Sequence, residues 1–555
     1  MKILGISCFY HDSACCIVID GKITFAAQEE RYTRVKHDPS FPVNAIKNAL
    51  NFSKLKISDF DAIVFYEKPL IKFERLLETY LNNFPKGFKS FLVSIPIWIK
   101  EKIFQKQILL DELKAIDKKF NNKNNIFFSD HHLSHAASAF FPSNFDEALV
   151  LTLDAVGEWT TTSLYYGKGN NLTKIKNIDF PDSLGLLYSA FTYFLGFKVN
   201  SGEYKLMGLA PYGKPIYKEL IYKNLVKVYA DNSFKLNQKY FDYQVGFKMT
   251  NENFNKLFEM NPRKEDETIE KKHMDIAASI QAVLEEIIIK ITCDIHKTYK
   301  VKNLCLAGGV ALNCVANGKI LESENNFTNI WIQPAAGDAG GALGAALAYY
   351  YDNNINIRIK PKQGENDLMQ GSFLGQEYSD ENIKNVLDEK NIVYSKLNEN
   401  EVIKFTASKI KDGLAIGWFQ GRMEFGPRAL GNRSIIADPR SETMQKKLNL
   451  KVKFRESFRP FAPAVLKEEV RDWFEIKDAN PYMLVVSKVH EKRLIKIDNL
   501  MTGFDKLNQN RSTITAVTHV DNSARVQVVS ENSNKKFYKL IKEFKKITGV
   551  PVMIN

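Results

Sequence analysis

The stretch Phe128-Ser129-Asp130-His131-His132-Leu133-Ser134-His135-Ala136-Ala137-Ser138-Ala139-Phe140 is the one around which the rest of this chain is organised. Asp130 is a good N-cap, Pro142 a stop, and the residues between them suit a helix. A short helix is therefore expected, launched from an apolar strand over Ile126–Phe128. His131 and His135, four residues apart, would share one face of it and could grip a single ion. Leu133, Ala136, Ala137 and Phe140 are assigned to its buried side. Helix-end histidines bonded to carbonyls are the competing reading, since a metal site needs a third ligand from elsewhere in the chain.

Working outward, 555 residues with 45% hydrophobic and 25% charged content describe a globular protein of two or more domains, and exclude a disordered or fibrous one. The formal charge of +13 suits anionic partners, but the lysines are dispersed, as over 36–56 and 535–546, and direct nucleic-acid binding is not expected. Cys8, Cys15, Cys16, Cys293, Cys305 and Cys314 lie in apolar stretches without CxxC spacing, which fits free thiols in a reducing cytoplasm. The start Met1-Lys2-Ile3-Leu4-Gly5-Ile6 turns polar too soon for a signal peptide. No run approaches the roughly 18 apolar residues of a membrane span. The most apolar window, 91–99, is interrupted by Pro96 and reads as a packed surface helix, with a weak membrane contact as the alternative.

Ile3 to Ser7 and Cys15 to Asp20 read as strands, the second turning at Asp20-Gly21 into a third over Lys22–Gln28. Cys8 to Ala14 forms a tight polar loop between the first two. The pattern recurs: a buried strand over Ala148 to Leu153, the polar loop Asp154-Ala155-Val156-Gly157-Glu158, then a strand over Trp159 to Tyr166. This is the mark of a duplicated unit. Two strand-loop-helix units follow, through Gly308-Gly309-Val310-Ala311-Leu312-Asn313 and through Ala336-Gly337-Asp338-Ala339-Gly340-Gly341. Their glycines either admit a ligand to the backbone and to exposed N–H groups at a helix start, or simply permit tight packing.

Duplicated strand-loop-strand units followed by glycine loops beneath helices resemble the superfamily of actin, sugar kinases and heat-shock ATPases (ASKHA), in which a nucleotide lies between two related halves. In such an α/β fold Asp338 is the candidate third metal ligand. Two imidazoles with one carboxylate suit Fe(II), Mn or Zn with positions left open. The resemblance becomes specific in His131-His132-Leu133-Ser134-His135, in Ser201 to Gly213, and in the loops Gly308 to Asn313 and Ala336 to Gly344. These look like the NodU/CmcH family of O-carbamoyltransferases, whose first domain is similar to the tRNA threonylcarbamoyltransferase (TsaD-like). The resemblance implies that His131, His135 and Asp338 hold a divalent metal, and that Gly308, Gly309, Asn313, Gly337 and Gly340 lie against a nucleotide. It spans nearly the whole chain, with a polar linker expected over 353–367, a first domain over 1–355 and a second over 368–555.

The second domain carries Gln420-Gly421-Arg422-Met423-Glu424-Phe425-Gly426-Pro427-Arg428-Ala429-Leu430-Gly431-Asn432-Arg433-Ser434, then Arg440, then Lys453-Phe454-Arg455-Glu456-Ser457-Phe458-Arg459. Arginines set among Gly, Pro and apolar residues argue for a folded pocket holding a small polyanion. A structural network with Glu424, Asp438, Glu442 and Glu456 is the competing reading. The segment resembles the family's signature in a YrdC-like α/β domain. By that resemblance Lys453 and Arg455 hold nucleotide, while Arg422, Arg428, Arg433 and Arg525 hold carbamoyl phosphate. The chain stops at Asn555, at the first letter of the family's N-T-S-F-N motif, so a truncated second domain is expected.

The function this implies is transfer of a carbamoyl group from carbamoyl phosphate, with ATP consumed as a substrate, through carbamoyl adenylate to a hydroxyl of a sugar or natural product. His11 beside Asp12 is the candidate for taking the acceptor's proton, against a loop histidine bonded to the backbone. Asp154, Glu158, Tyr204 and Lys205 are candidates for the acceptor pocket. An ASKHA-type kinase and a non-catalytic nucleotide-binding protein are the rival readings, and a homodimer is left open. Selectivity for the acceptor is expected in the motif-free stretches 70–120 and 215–272.

Overall fold

The computed structural model describes residues 1–324, 327–353, 358–476, 480–497 and 501–555. The chain divides into two compact units, one formed by 1–361 with 366–368 and the other by 362–365 with 369–555.

The first unit is built twice over from one pattern. In its first half β1 (Lys2–Ser7) pairs antiparallel with β2 (Ala14–Ile19), which pairs antiparallel with β3 (Lys22–Gln28). On the other side of β1 lie, parallel, β4 (Ala62–Phe65) and then β5 (Ile126–Phe128), giving the order β3-β2-β1-β4-β5. The second half repeats it with β6 (Glu147–Leu153), β7 (Thr160–Lys168) and β8 (Asn171–Asp179). A small hairpin, β9 (Val226–Val228) and β10 (Phe234–Leu236), intervenes before the parallel strands β11 (Asn303–Ala307) and β12 (Asn329–Ile332). The order there is β12-β11-β6-β7-β8. This is the duplicated α/β architecture expected from the two strand-loop-strand units.

Near-continuous burial along β1, β4 and β6 shows sheets covered on both faces, which explains why these strands read as apolar runs rather than as alternation. The covering elements include the two helices that leave corresponding strands. The histidine helix, His131–Phe140, follows β5, and the aspartate helix, Asp338–Asp352, follows β12. They cross closely enough that a Cβ on Gly344 would run into the carbonyl oxygen of Ser134, and one on Gly5 into that of Ala342. Small residues at these positions let the helices bury one another and β1. Burial of the histidine helix is accordingly nearly complete: only Leu133, expected on its buried side, is partly exposed.

The helix Phe88–Trp98 is a surface helix that packs one face, with Phe91 and Trp98 against the Tyr80 ring and Ser90 buried, and leaves Phe88, Leu92, Val93 and Ile97 exposed. Of the polar stretch 353–367 expected as a linker, 354–357 lie outside the described residues, and parts of the rest are anchored. Arg358 is buried and donates to the carbonyls of Phe141, Ser143 and Phe145 past the end of the histidine helix, and Asp367 accepts from Trp331 Nε1 at 3.0 Å.

In the second unit β15 (Pro463–Leu466) pairs parallel with β18 (Gln527–Val529) and antiparallel with β19 (Val552–Ile554). Two antiparallel pairs accompany this sheet, β13 (Ile416–Phe419) with β14 (Arg433–Ile436) and β16 (Val486–Lys488) with β17 (Ser523–Arg525). The helix Lys535–Thr548 buries Phe537, Leu540, Ile541 and Phe544 against Ile403, Ala407, Ile410 and Leu466.

Candidate metal centre and its surroundings

The histidine helix begins at Asp130, but Asp130 does not cap it. Its backbone is extended at the N-cap position, and its carboxylate accepts from Lys68 Nζ at 2.9 Å. The cap comes from Glu158 in the loop between β6 and β7. Its two oxygens accept the His131 N–H at 3.0 and 3.1 Å, and one of them also accepts the Lys68 N–H at 2.7 Å. Glu158, expected in the acceptor pocket, is thus occupied in closing a helix end, where a buried carboxylate meets otherwise unsatisfied N–H groups and the positive end of the dipole. Burial pushes its carboxyl above the usual range.

So fixed, the helix turns His131 and His135 onto one face with their Nε2 atoms 3.1 Å apart. Asp154 Oδ2 lies 3.1 Å from the first and 3.8 Å from the second, and Asp338 Oδ1 lies 3.7 and 3.5 Å from them. All four side chains are buried. Donor atoms held about 2.1 Å from a common ion sit about 3.0 Å apart at right angles and about 3.4 Å apart at tetrahedral angles, the spacing seen here. Two imidazoles and two carboxylates form a borderline-to-hard donor set that fits Fe(II), Mn or Zn. The Nδ1 atoms of both histidines are buried without a hydrogen-bond partner, and Glu67 Oε2 stands 3.9 Å behind that of His131, where a ligand histidine commonly faces a supporting carboxylate. Burial opposes a charged His131, but the hydrogen bond it donates to Asp154 and the charges of Asp338, Asp154 and Glu158 outweigh it and push its pKa up to about 9. Burial keeps His132, on the other face, neutral, bonded to Thr152 and Ser163.

Asp154 is the member of this group that the sequence reading placed elsewhere, in the acceptor pocket. The available signal was its position. It opens the loop after β6, the counterpart of the loop after β1 that carries His11 and Asp12. That first loop also reaches the cluster, with His11 Nε2 3.7 Å from Asp338 Oδ2. Asp12 accepts from His11 Nδ1 at 3.1 Å on one oxygen and from His37 Nδ1 at 2.7 Å on the other, which leaves the His11 Nε2 edge turned toward Asp338. Burial works against a charged His11, yet Asp338 and Asp12 push its pKa up to about 10.

The glycine corners divide into two kinds. Gly308 sits at φ +88° against the Leu153 backbone and donates its N–H to Ala336 O, while Gly340 packs on Ala335, so both serve close packing. Asn313 caps the next helix through Ala316 N–H and exchanges hydrogen bonds with Gln281. Beside Gly309 and Gly337 there is open space: an added Cβ would meet only Asp154 Oδ1 at 3.1 Å in the first case and only Leu312 Cδ1 at 3.8 Å in the second. Even so, the Gly309 N–H donates to Asp154 at 3.0 Å, so the expectation of exposed anion-binding N–H groups does not hold for Gly308 or Gly309. Tyr204 accepts from Lys36 beside His37, and the Lys205 ammonium lies 5.8 Å from the Phe197 ring centroid.

In the second unit the arginines separate. Arg422 donates through Nε to Gly375 O and through Nη2 to Leu374 O, and Arg440 forks onto Asp438. Arg440 thus carries the structural role offered as the competing reading, while Arg422 is tied through two of its nitrogens to backbone carbonyls. Glu424 is a backbone clamp: one oxygen accepts the N–H groups of Leu430, Asn432 and Arg433, folding the loop so that Arg433 enters β14. Lys453 is exposed, and desolvation together with the neighbouring charges of Arg455 and Arg459 lowers its pKa. Arg455 donates to Asn449 Oδ1 at 2.6 Å with its guanidinium 4.6 Å from the Phe461 ring. Arg428 and Arg525 are partly buried.

Comparison with known proteins adds an independent line. The family pattern described as carbamoyltransferase N-terminus matches residues 2–347, and that described as carbamoyltransferase C-terminus matches 407–555. An uncharacterized protein of Synechocystis sp. is 51% identical over all of this chain and 90% of its own length. The nodulation protein NolNO of Sinorhizobium fredii is 35% identical over 99% of this chain and 74% of its own, and nodulation protein U of the same organism 26% identical over 100% and 93%. Among solved structures, HypF of T. kodakarensis aligns over 63% of this chain and 48% of its own at 13% identity and a TM-score of 0.34.

Proposed function

The chain belongs to the carbamoyltransferase family, and on that premise we propose that it transfers a carbamoyl group from carbamoyl phosphate to an acceptor hydroxyl with consumption of ATP. In this reading the second unit is the YrdC-like partner. There carbamoyl phosphate is hydrolysed to carbamate and phosphate, and a carbamate oxygen displaces pyrophosphate from the α-phosphorus of ATP to give carbamoyl adenylate. Lys453 and Arg455, with Arg428, Arg433 and Arg525, balance the phosphate charge.

The second step belongs to the first unit. The acceptor oxygen attacks the carbamoyl carbon, the bond to the AMP phosphate oxygen breaks, and the hydroxyl proton passes to His11 Nε2 while Asp12 holds Nδ1. His131, His135, Asp154 and Asp338 would hold the cation, which supplies positive charge to the phosphate of the leaving AMP. A cation held by Asp338 would offset the largest of the charges that raise His11, which would leave its imidazole able to accept a proton. Gly309 and Gly337 leave space for the nucleotide.

The observation that carries the proposal is the convergence of His11 on a buried cluster of two imidazoles and two carboxylates. Release of AMP and pyrophosphate from ATP by the full chain, with and without carbamoyl phosphate, tests it. Release that depends on carbamoyl phosphate is expected. ADP formed without carbamoyl phosphate would instead establish a kinase, and ATP binding with neither product a non-catalytic protein.

A further inference from the structure

The helix Pro69–Asn83, in a stretch without motifs, turns two basic side chains inward, and a third joins them from outside it. Lys72 and Arg75 are 8% and 6% exposed, and Lys102, from the next segment, is 6% exposed. Buried cations are rare unless paired. Glu67 answers the two lysines, at 2.6 Å from Lys72 Nζ and 3.4 Å from Lys102 Nζ. Arg75 has no such answer. Among the described residues its guanidinium makes neither a hydrogen bond nor an ion pair, its Nε is sealed without an acceptor, and the Phe180 ring lies 5.1 Å away, while the charges of Glu67 and Glu158 face it only from beyond ion-pair distance. Glu67 is taken up by the two lysines and Glu158 by the N–H groups of Lys68 and His131, so neither carboxylate is bonded to the Arg75 guanidinium.

This cluster adjoins the reaction centre through a continuous series of contacts. Asp338 meets His11 at 3.7 Å, the His11 and Tyr10 rings are 4.6 Å apart, and Lys72 Nζ lies 5.0 Å from the Tyr10 ring centroid. Tyr10 is 47% exposed, so the series has an open side. The glycine corners with room for a nucleotide belong to the other half of the unit, beyond Asp154. An anion at Arg75 would therefore reach His11 along the series through Lys72 and Tyr10 rather than through Gly309 and Gly337, leaving those corners free for the nucleotide.

We propose that Arg75, backed by Lys72 and Lys102, is a subsite for a phosphate or carboxylate carried by the acceptor, so that the hydroxyl to be carbamoylated belongs to an anionic molecule. The inference rests on the carbamoyl-transfer reading for the word acceptor, and on geometry alone for the anion. A guanidinium edge buried without an acceptor is matched by the paired oxygens of such a group.

The test is calorimetric titration of the full chain, in the presence of AMP and pyrophosphate to fill the nucleotide side, with glucose 1-phosphate, glucuronate and glucose. At least one of the two anionic sugars is expected to bind about ten- to a hundredfold more tightly than glucose. Whether the phosphate or the carboxylate probe responds identifies the group. R75Q should abolish the preference, and R75K, which keeps charge without the fork, should retain part of it. Equal binding of all three sugars by the wild type, or a preference that survives in R75Q, overturns the subsite. If R75Q does not melt cooperatively, the wild-type preference and its weakening in R75K decide the matter. Carbamoyl-phosphate-dependent release of AMP and pyrophosphate by the wild type is measured alongside. Its absence beside an Arg75-dependent preference would refute carbamoyl transfer and leave the anion site standing, while its presence without any preference refutes the subsite alone.

Discussion

The two halves of the first unit place three corners at the ends of corresponding strands and fill them differently. After β1 comes His11-Asp12, an imidazole held by a carboxylate; after β6 come Asp154 and Glu158, carboxylates turned to the histidine helix. After β4 comes Glu67, buried between lysines; after β11 come Gly308 and Gly309. After β5 the helix presents two histidines, and after β12 it presents Asp338 at its first turn, where the dipole favours a carboxylate. Duplication supplies positions that face one another, and divergence supplies unlike donors at them. Two identical halves would have brought like charges together, whereas these halves bring imidazole to carboxylate and a charged wall opposite a glycine wall.

Exchanging the chemistry of matched corners should break this division. Asp154→Asn is expected to weaken metal retention about 10- to 100-fold, measured as metal content after dialysis against graded chelator. His11→Gln should keep the metal and lower acceptor carbamoylation by about a hundredfold or more. Equal metal loss in both variants would show that the two loops are not divided in this way.

The charged corner can be separated from the glycine corner by pH. Burial raises the Glu67 carboxyl, but Lys72, Lys102 and His131 outweigh it and hold its pKa down at about 2, against about 4.3 for an ordinary glutamate. Its contribution to stability is therefore complete above about pH 4.3 and is lost as pH falls toward 2. Glu67→Gln strands two buried lysines and should cost about 3–5 kcal/mol in urea unfolding at pH 7, with the gap to wild type narrowing as the solution is made acid through pH 4. A gap independent of pH would mean that packing rather than charge holds this corner.

The smallest expected effect concerns the shared helix end. Glu158→Gln should lower stability by about 1 kcal/mol, whereas Asp130→Asn, which loses only a half-exposed pair with Lys68, should change it by less than about 0.5 kcal/mol. Thermal melting of the two variants side by side checks the order, and the reverse order would return the cap to Asp130.

Where the sequence reading failed, it failed for a common reason. Asp130 has the local propensity of a cap, but Glu158 arrives from another strand with a better-placed and more deeply buried carboxylate. Gly308 reads as a phosphate cradle and serves instead the approach of β11 to the Leu153 backbone. Each misassignment concerns which distant group a side chain meets, and spacing along the chain carries little information about that. The histidine pair was legible because i, i+4 spacing is itself a local geometry.

The amino-acid sequence by itself determined the duplicated strand pattern, the helix bearing His131 and His135 and the candidacy of Asp338, since periodicity, caps and glycine corners act within a few residues. Only the tertiary structure decided that Asp154 joins them, that Glu158 closes the helix and that Arg75 lies buried without a hydrogen-bond or ion-pair partner among the described residues. Those facts depend on sheets and helices crossing at a few ångströms, and at that range packing, not propensity, selects each charge's neighbour.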